Sequence, residues 1–220
     1  MTAVRRIPFS GLCLLVGALS FGIAGLRHPI LRGDGAVQLA TIARTADWPA
    51  IHWMLLLGMP LMVAGLAGLA ARHRDTPGIG SAGAAVLVAT FGIAIWMLNI
   101  LFMAGAGWHL ARTYVAAEPG LAATHAVFVY DMLHPFGLVA ERVATLSMGL
   151  AFCMLGWGIR GGRVYGRWLS WSAFAAGVAC VVIALAVRET SVVLFYGQAT
   201  LVAWMAAAGV TMLAQRRPVT

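Results

Sequence analysis

The amino-acid sequence predicts an all-α integral membrane protein, folded as one compact bundle of six transmembrane helices. Three observations support this prediction: 61% of the 220 residues are hydrophobic, only 10% are charged, and six uninterrupted apolar runs follow one another. An average soluble domain has about 25% charged residues, so this chain lacks the charges needed to cover a soluble surface. Each run also reaches the length of about 20 residues that a helix needs to cross a bilayer.

The six predicted spans belong to a single transmembrane domain, residues 1–220, and cover 7–26, 49–71, 81–105, 135–158, 168–187 and 192–214. The first run is too long for the apolar part of a signal peptide, so we interpret it as a span. Glycine, alanine and serine are frequent within the runs, and such small residues allow membrane helices to pack closely.

The two longest connections, 28–48 and 106–134, lie on the same side of the predicted bundle, and we expect short interfacial helices in both. Residues 36–46 form the first candidate helix. Residues 121–133 form the second, either as a separate helix or as an extension of the fourth span. A turn signal, Glu118-Pro119-Gly120, precedes this second segment.

The distribution of arginine predicts how the bundle is oriented. All 15 basic residues are arginine, and nine of them lie on the side of the two termini, with six on the opposite side. Six of the seven acidic residues lie on the side opposite the termini, together with the six arginines there. The positive-inside rule therefore predicts cytoplasmic N- and C-termini, in a bacterial-type inner membrane.

The net charge of +8 does not indicate a nucleic-acid partner, because the arginines are scattered between apolar runs and form no basic face or recognition motif. The expected partners are the lipid bilayer and other membrane subunits.

Five of the six histidines map to the side opposite the termini, and we treat all five as candidate metal ligands: His28, His52, His109, His125 and His134. Part of this excess follows from the greater length of the connections on that side. Four of the five, however, lie within a few residues of the end of a span, where helix packing could bring them together at one depth.

Two carboxylates fall on the same predicted helical face as one of these histidines. At 100° per residue, Asp131, His134 and Glu141 lie within about 80° of one another, provided that the helix continues through Pro135. Asp131 and Glu141 are therefore the candidate catalytic residues, acting as a general base.

The polar residues within the spans share the same half of the predicted bundle. They are Asn99, Glu141, Arg142 and Gln198. A charged side chain at the centre of a span costs about 2.5–3.5 kcal/mol, so Glu141 and Arg142 should face the bundle interior and be paired. Asn99 and Arg142 are the candidate cofactor-binding residues.

These groups allow several functions. Neutral imidazoles with carboxylates suit Zn, Cu or Fe, and two histidines from different helices could instead ligate a haem iron. The first hypothesis is a metal or haem site at the outer face that serves membrane-associated redox or hydrolytic chemistry. One alternative is a small-solute transporter or channel with an outward polar vestibule. Another is a structural or assembly subunit of a larger membrane complex.

Overall fold

The computed structural model describes residues 9–117 and 120–215, and within these ranges its regular secondary structure is entirely helical. Six helical segments in the described part of the chain are long and apolar enough to cross a membrane. The predicted all-α fold with six helices of membrane-spanning length and hydropathy is therefore confirmed.

The described residues form eight α-helices and one π-helical turn. The helices are α1 (Phe9–Arg27), α2 (Gly35–Arg44), α3 (Trp48–Ala71), α4 (Ile79–Phe102), α5 (Trp108–Ala116), α6 (Leu121–Gly162), α7 (Arg167–Ala186) and α8 (Val192–Ala214). The π-helical turn, Met103–Gly107, joins α4 directly to α5.

The predicted spans agree with α1, α3, α7 and α8 within two residues at each end, although residues 7 and 8 lie outside the described ranges. The other two helices are longer than predicted. α4 continues through the π turn into α5, and α6 begins at Leu121 and passes through Pro135 without a break. Proline removes only one backbone hydrogen bond, and a membrane helix tolerates this loss where neighbouring groups compensate.

The six spans pack in chain order around a closed ring, in which α1 contacts α3, each later span contacts the next, and α8 returns to α1. Glycines allow the close approaches. A Cβ atom at Gly17 of α1 would lie 2.7 Å from the carbonyl oxygen of Gly58 in α3. A Cβ atom at Gly177 of α7 would lie 2.6 Å from the carbonyl oxygen of Gly149 in α6. Direct backbone contact of this kind replaces the hydrophobic driving force that helices lack in lipid.

One end of the ring is covered by α2, α5 and the first turns of α6, which contact one another; we call it the capped end. These elements bury a second apolar cluster that includes Leu39, Trp48, Ala111 and Tyr130. Asp34 begins α2 because its side chain accepts a hydrogen bond from the backbone amide of Val37. The first long connection thus contains a helix close to the predicted one. The second connection consists of extensions of its two neighbouring spans. The interfacial position of these segments stays a prediction.

Candidate functional site

The residues singled out in the sequence lie in several separate places, and a polar network inside the bundle connects three of them: Asn99, Glu141 and Gln198. The carboxylate of Glu141 in α6 accepts a hydrogen bond at Oε2 from Asn99 Nδ2 in α4, at 3.3 Å. Its other oxygen, Oε1, accepts a hydrogen bond from Gln198 Nε2 in α8, at 3.1 Å. Three spans therefore meet at one carboxylate.

Thr145, one helical turn after Glu141, completes the network. Its hydroxyl donates to the backbone carbonyl of Glu141 at 2.9 Å and accepts from Gln198 Nε2 at 2.9 Å. Thr145 and Gln198 are both buried. The Gln198 amide is therefore held by two acceptors, and its orientation is fixed by α6.

Two features of this network bear on its chemistry. Within the described ranges, no basic side chain pairs with the Glu141 carboxylate. In the same ranges, the Oδ1 atom of Asn99 is buried and accepts no hydrogen bond. This oxygen lies against Gly137, where a Cβ atom would collide with it. The network thus holds a carboxylate without a counter-charge beside an unused acceptor.

Arg142 points away from the carboxylate that precedes it. Its Nε atom donates to the carbonyl of Ala184 at 2.6 Å, and a second nitrogen donates to the carbonyl of Leu185 at 3.3 Å. A third nitrogen contacts the Glu189 carboxylate at 3.3 Å. The guanidinium therefore binds the last carbonyls of α7, as cations near helix C-termini do. The expected pairing is found for Arg142, with Glu189, but not for Glu141, which has no charged partner in the described part of the chain. The predicted cofactor-binding role of Arg142 stays a prediction.

Two of the five candidate histidines, His28 and His52, lie together at the capped end, with ring centroids 5.2 Å apart. The Nδ1 atom of His52 is 2.9 Å from the carbonyl oxygen of Trp48, and that of His28 is 2.8 Å from the carbonyl oxygen of Pro29. Since a carbonyl can only accept, both Nδ1 atoms carry the proton and both Nε2 atoms are left with a lone pair.

Trp48 holds this pair in place. Its indole ring lies 4.8 Å from the ring of His28 and 4.3 Å from that of His52, between centroids. Its Nε1 atom donates to the carbonyl of Met103 in the π turn, at 3.0 Å. Burial and, to a smaller extent, the neighbouring His52 lower the pKa of His28 to about 4. The His28 ring is therefore neutral at physiological pH.

The remaining candidates do not join either group. His134 stacks on Tyr130, with ring centroids 4.7 Å apart, and the Tyr130 hydroxyl donates to Gln38 Oε1 at 2.9 Å. Asp131 is exposed and rests against Gly35 of α2. His109 and His125 are also exposed.

The histidines therefore divide into a pair and three separate side chains. Nowhere in 9–117 and 120–215 are three or more His, Cys, Asp or Glu side chains grouped so that they could hold a metal ion. The predicted Zn, Cu, Fe or haem centre thus stays a prediction.

Two residues that complete these groups, Thr145 and Trp48, were missing from the candidates inferred from sequence. Each lies one helical turn from a residue that the sequence did single out, Thr145 after Glu141 and Trp48 before His52. The i, i+4 spacing in a helix is the signal that could have identified them.

Comparisons with protein-family models, with curated proteins and with solved structures found no match to this chain. Its function is therefore argued from the geometry of these two groups.

Proposed function

We propose that the protein is a proton-linked transporter of a small solute, and that Glu141 carries the proton. One observation supports this above all others: a carboxylate lies among three spans, held by amide groups, with no basic partner in the described part of the chain. An ionisable residue in this position is a mark of ion and proton pathways in membrane proteins.

The physical argument rests on the cost of an unpaired charge. A charged side chain within a span costs about 2.5–3.5 kcal/mol, and a proton bound to the carboxylate removes this charge. The amide of Gln198 can serve the carboxyl group in both states, because a protonated carboxyl retains an oxygen that accepts.

Asn99 provides the acceptor that a protonated carboxyl needs. The hydroxyl of a neutral Glu141 is a donor, and the buried Oδ1 atom of Asn99 accepts nothing in this structure. A half-turn of the Asn99 amide would exchange its Nδ2 and Oδ1 atoms and present that oxygen to the new hydroxyl. Glu141 and Asn99 can therefore remain hydrogen-bonded after protonation through rotation of one side-chain amide, without a change of helix position.

Irregular helix geometry near the network also favours transport. The π turn begins at Met103, four residues after Asn99, and Pro135 interrupts the hydrogen bonding of α6 six residues before Glu141. π turns are frequent at functional sites, and α6 keeps its helical course through Pro135 despite the hydrogen bond lost there.

Apolar side chains occupy the bundle between the network and the end opposite the cap. Met148, Phe152, Leu201 and Met205 are buried there. In a transporter, this packing corresponds to a conformation that is closed on the side of the two termini. The solute can pass only if these side chains separate. By the positive-inside rule, the arginine distribution predicts that the closed side faces the cytoplasm and that the capped end faces outward.

A reconstitution experiment tests the proposal. Purified protein is placed in liposomes that contain a pH-sensitive dye, an inward proton gradient is imposed, and pools of sugars, amino acids, organic acids and organic cations are added in turn. Wild-type protein should move protons when one pool is present. Glu141→Gln should abolish this movement, while Glu189→Gln, the same substitution outside the network at an exposed ion pair, should preserve it.

Two results would contradict this function. One is proton movement at the wild-type rate in Glu141→Gln. The other is the absence of solute-dependent proton movement in wild-type protein across all the pools.

A further inference from the structure

The histidine pair at the capped end has the features of a metal site that is independent of the Glu141 network. We propose that His28 and His52 bind one divalent transition-metal ion, such as Zn²⁺, through their Nε2 atoms. Water or an external ligand would fill the remaining coordination positions. The proposal concerns binding and does not depend on the transport function.

The separation of the two rings fits a shared ion. A tetrahedral Zn²⁺ ion binds imidazole nitrogens at about 2.0–2.1 Å, which sets two coordinated rings about 5 Å apart between centroids. The observed distance between His28 and His52 is 5.2 Å. The spacing of the two rings is therefore the one that a shared ion requires.

The same distance argues against a haem held by this pair. Two axial histidines bind opposite faces of a haem, which places their ring centroids about 6 Å apart with the macrocycle between them. Trp48 already packs on both rings, with centroids within 4.8 Å, and leaves no space for a macrocycle there.

The hydrogen bonds around the pair are those of metal-binding histidines. A coordinated imidazole almost always donates its other N–H group to a carbonyl or carboxylate, which fixes the tautomer and the ring orientation. His28 donates to the carbonyl of Pro29, and His52 donates to the carbonyl of Trp48. Both rings are thus held in the tautomer that offers Nε2, before any ion binds.

The local charge is compatible with a cation. Arg27 lies next to His28 in the chain, but its guanidinium forms an ion pair with Asp47. This pairing offsets the positive charge that would otherwise repel a metal ion. His28 is half-buried whereas His52 is buried, so an ion from solvent would reach the pair from the His28 side.

Cobalt is a suitable probe, because Co²⁺ replaces Zn²⁺ in such sites and its absorption reports coordination. The full chain is purified in detergent on an affinity tag that contains no histidine, stripped with a chelator and titrated with Co²⁺, then with Zn²⁺. Wild-type protein should bind one Co²⁺ per chain, and Zn²⁺ should displace it. His28→Ala should weaken binding at least tenfold, whereas His109→Ala, which removes an exposed histidine at the same end, should not change it.

A third variant keeps the proposal falsifiable if loss of His28 disturbs the fold. In His28→Cys a thiolate replaces the imidazole as ligand, so binding should return and a sulfur-to-cobalt charge-transfer band, absent in wild type, should appear. The proposal is overturned if wild-type protein shows no saturable Co²⁺ binding. It is also overturned if His28→Ala binds Co²⁺ as tightly as wild type, or if His28→Cys binds without the new band.

Discussion

The Nε2 atom of Gln198 donates to Oε1 of Glu141 at 3.1 Å, and this hydrogen bond joins two spans that are not neighbours around the ring. α7 lies between α6 and α8 in the chain, and it contacts both. The Glu141 network is therefore a cross-link through the bundle as well as the candidate proton site. Its contribution to stability and its contribution to transport can be separated by the choice of substitution.

Glu141→Ala should destabilise the bundle by about 1–3 kcal/mol, because it leaves the amide donors of Asn99 and Gln198 buried without their acceptor. Glu141→Gln should match or exceed the wild-type stability, since it retains one acceptor and removes a charge that has no counter-ion. Thermal unfolding in detergent measures both effects. Equal losses in the two variants would show that the carboxylate charge itself holds the spans together.

Arg142→Gln should lower stability by about 1–2 kcal/mol, and more than Glu189→Gln does. The guanidinium binds two carbonyls at the end of α7, and charge-assisted bonds of this type are stronger than neutral ones. In the ion pair, the side chain of Arg142 is 36% exposed and that of Glu189 is 38% exposed. Ion pairs exposed to this degree contribute about 0–1 kcal/mol to stability. Denaturation of both variants under one set of conditions gives the comparison. A larger loss of stability in Glu189→Gln would show that the ion pair, and not the hydrogen bonds to the α7 carbonyls, provides the stabilisation.

Composition was sufficient to predict the spans. A helix needs a long apolar run to cross a bilayer, and within that run its backbone N–H and C=O groups form hydrogen bonds with one another. Helix continuity was predictable only as one of two alternatives. Pro135 is a standard stop signal, yet α6 passes through it, since a proline removes a single backbone hydrogen bond. Of the two alternatives predicted for residues 121–133, the structure has the extension of the fourth span. Residues 108–116 were expected only as part of a long connection, and they form α5, which packs on α2 and α6.

For the candidate sites, the sequence identified polar residues in one half of the bundle, but it could not determine which of their side chains contact one another. Glu141 and Arg142 are adjacent, so about 100° of helical rotation sends one into the bundle and the other to α7. His28 and His52 come together because α1 packs against α3, a tertiary contact that no local pattern records. The row formed by Asp131, His134 and Glu141 exists along one helix, but Asp131 is exposed, whereas Glu141 is half-buried and hydrogen-bonded to two other spans.

Gly17→Ala should cost about 1–3 kcal/mol, because its Cβ atom would meet the backbone of α3, 2.7 Å from the Gly58 oxygen and 2.8 Å from the Met62 nitrogen. Gly83→Ala in α4 is the matched control, since nothing lies within 4 Å of its added Cβ atom. This control should be neutral or stabilising by about 0.5–1 kcal/mol, through the lower helical cost of alanine. Similar melting temperatures for the two variants would contradict the close packing of α1 against α3.

A buried histidine at the end opposite the cap predicts how the stability depends on pH. His73 is fully buried, and in the described part of the chain neither of its ring nitrogens has a hydrogen-bond partner. Burial lowers its pKa below 6.5, since the charged imidazolium would lose its hydration. Below about pH 6.5 the unfolded chain therefore binds more protons than the folded one, and the free energy of unfolding falls as the pH is lowered.

His73→Leu should reduce that dependence. Above pH 7 the variant should be as stable as wild type or more stable, because it replaces an unsatisfied buried ring with an apolar side chain of similar size. Between pH 6.5 and 5 it should lose less stability than wild type, as measured by unfolding in detergent with a chelator present. Some dependence must remain, because His28, with a pKa lowered to about 4, titrates in both proteins. Parallel pH curves for the two proteins would mean that His73 is already protonated, or already solvated, in the folded state.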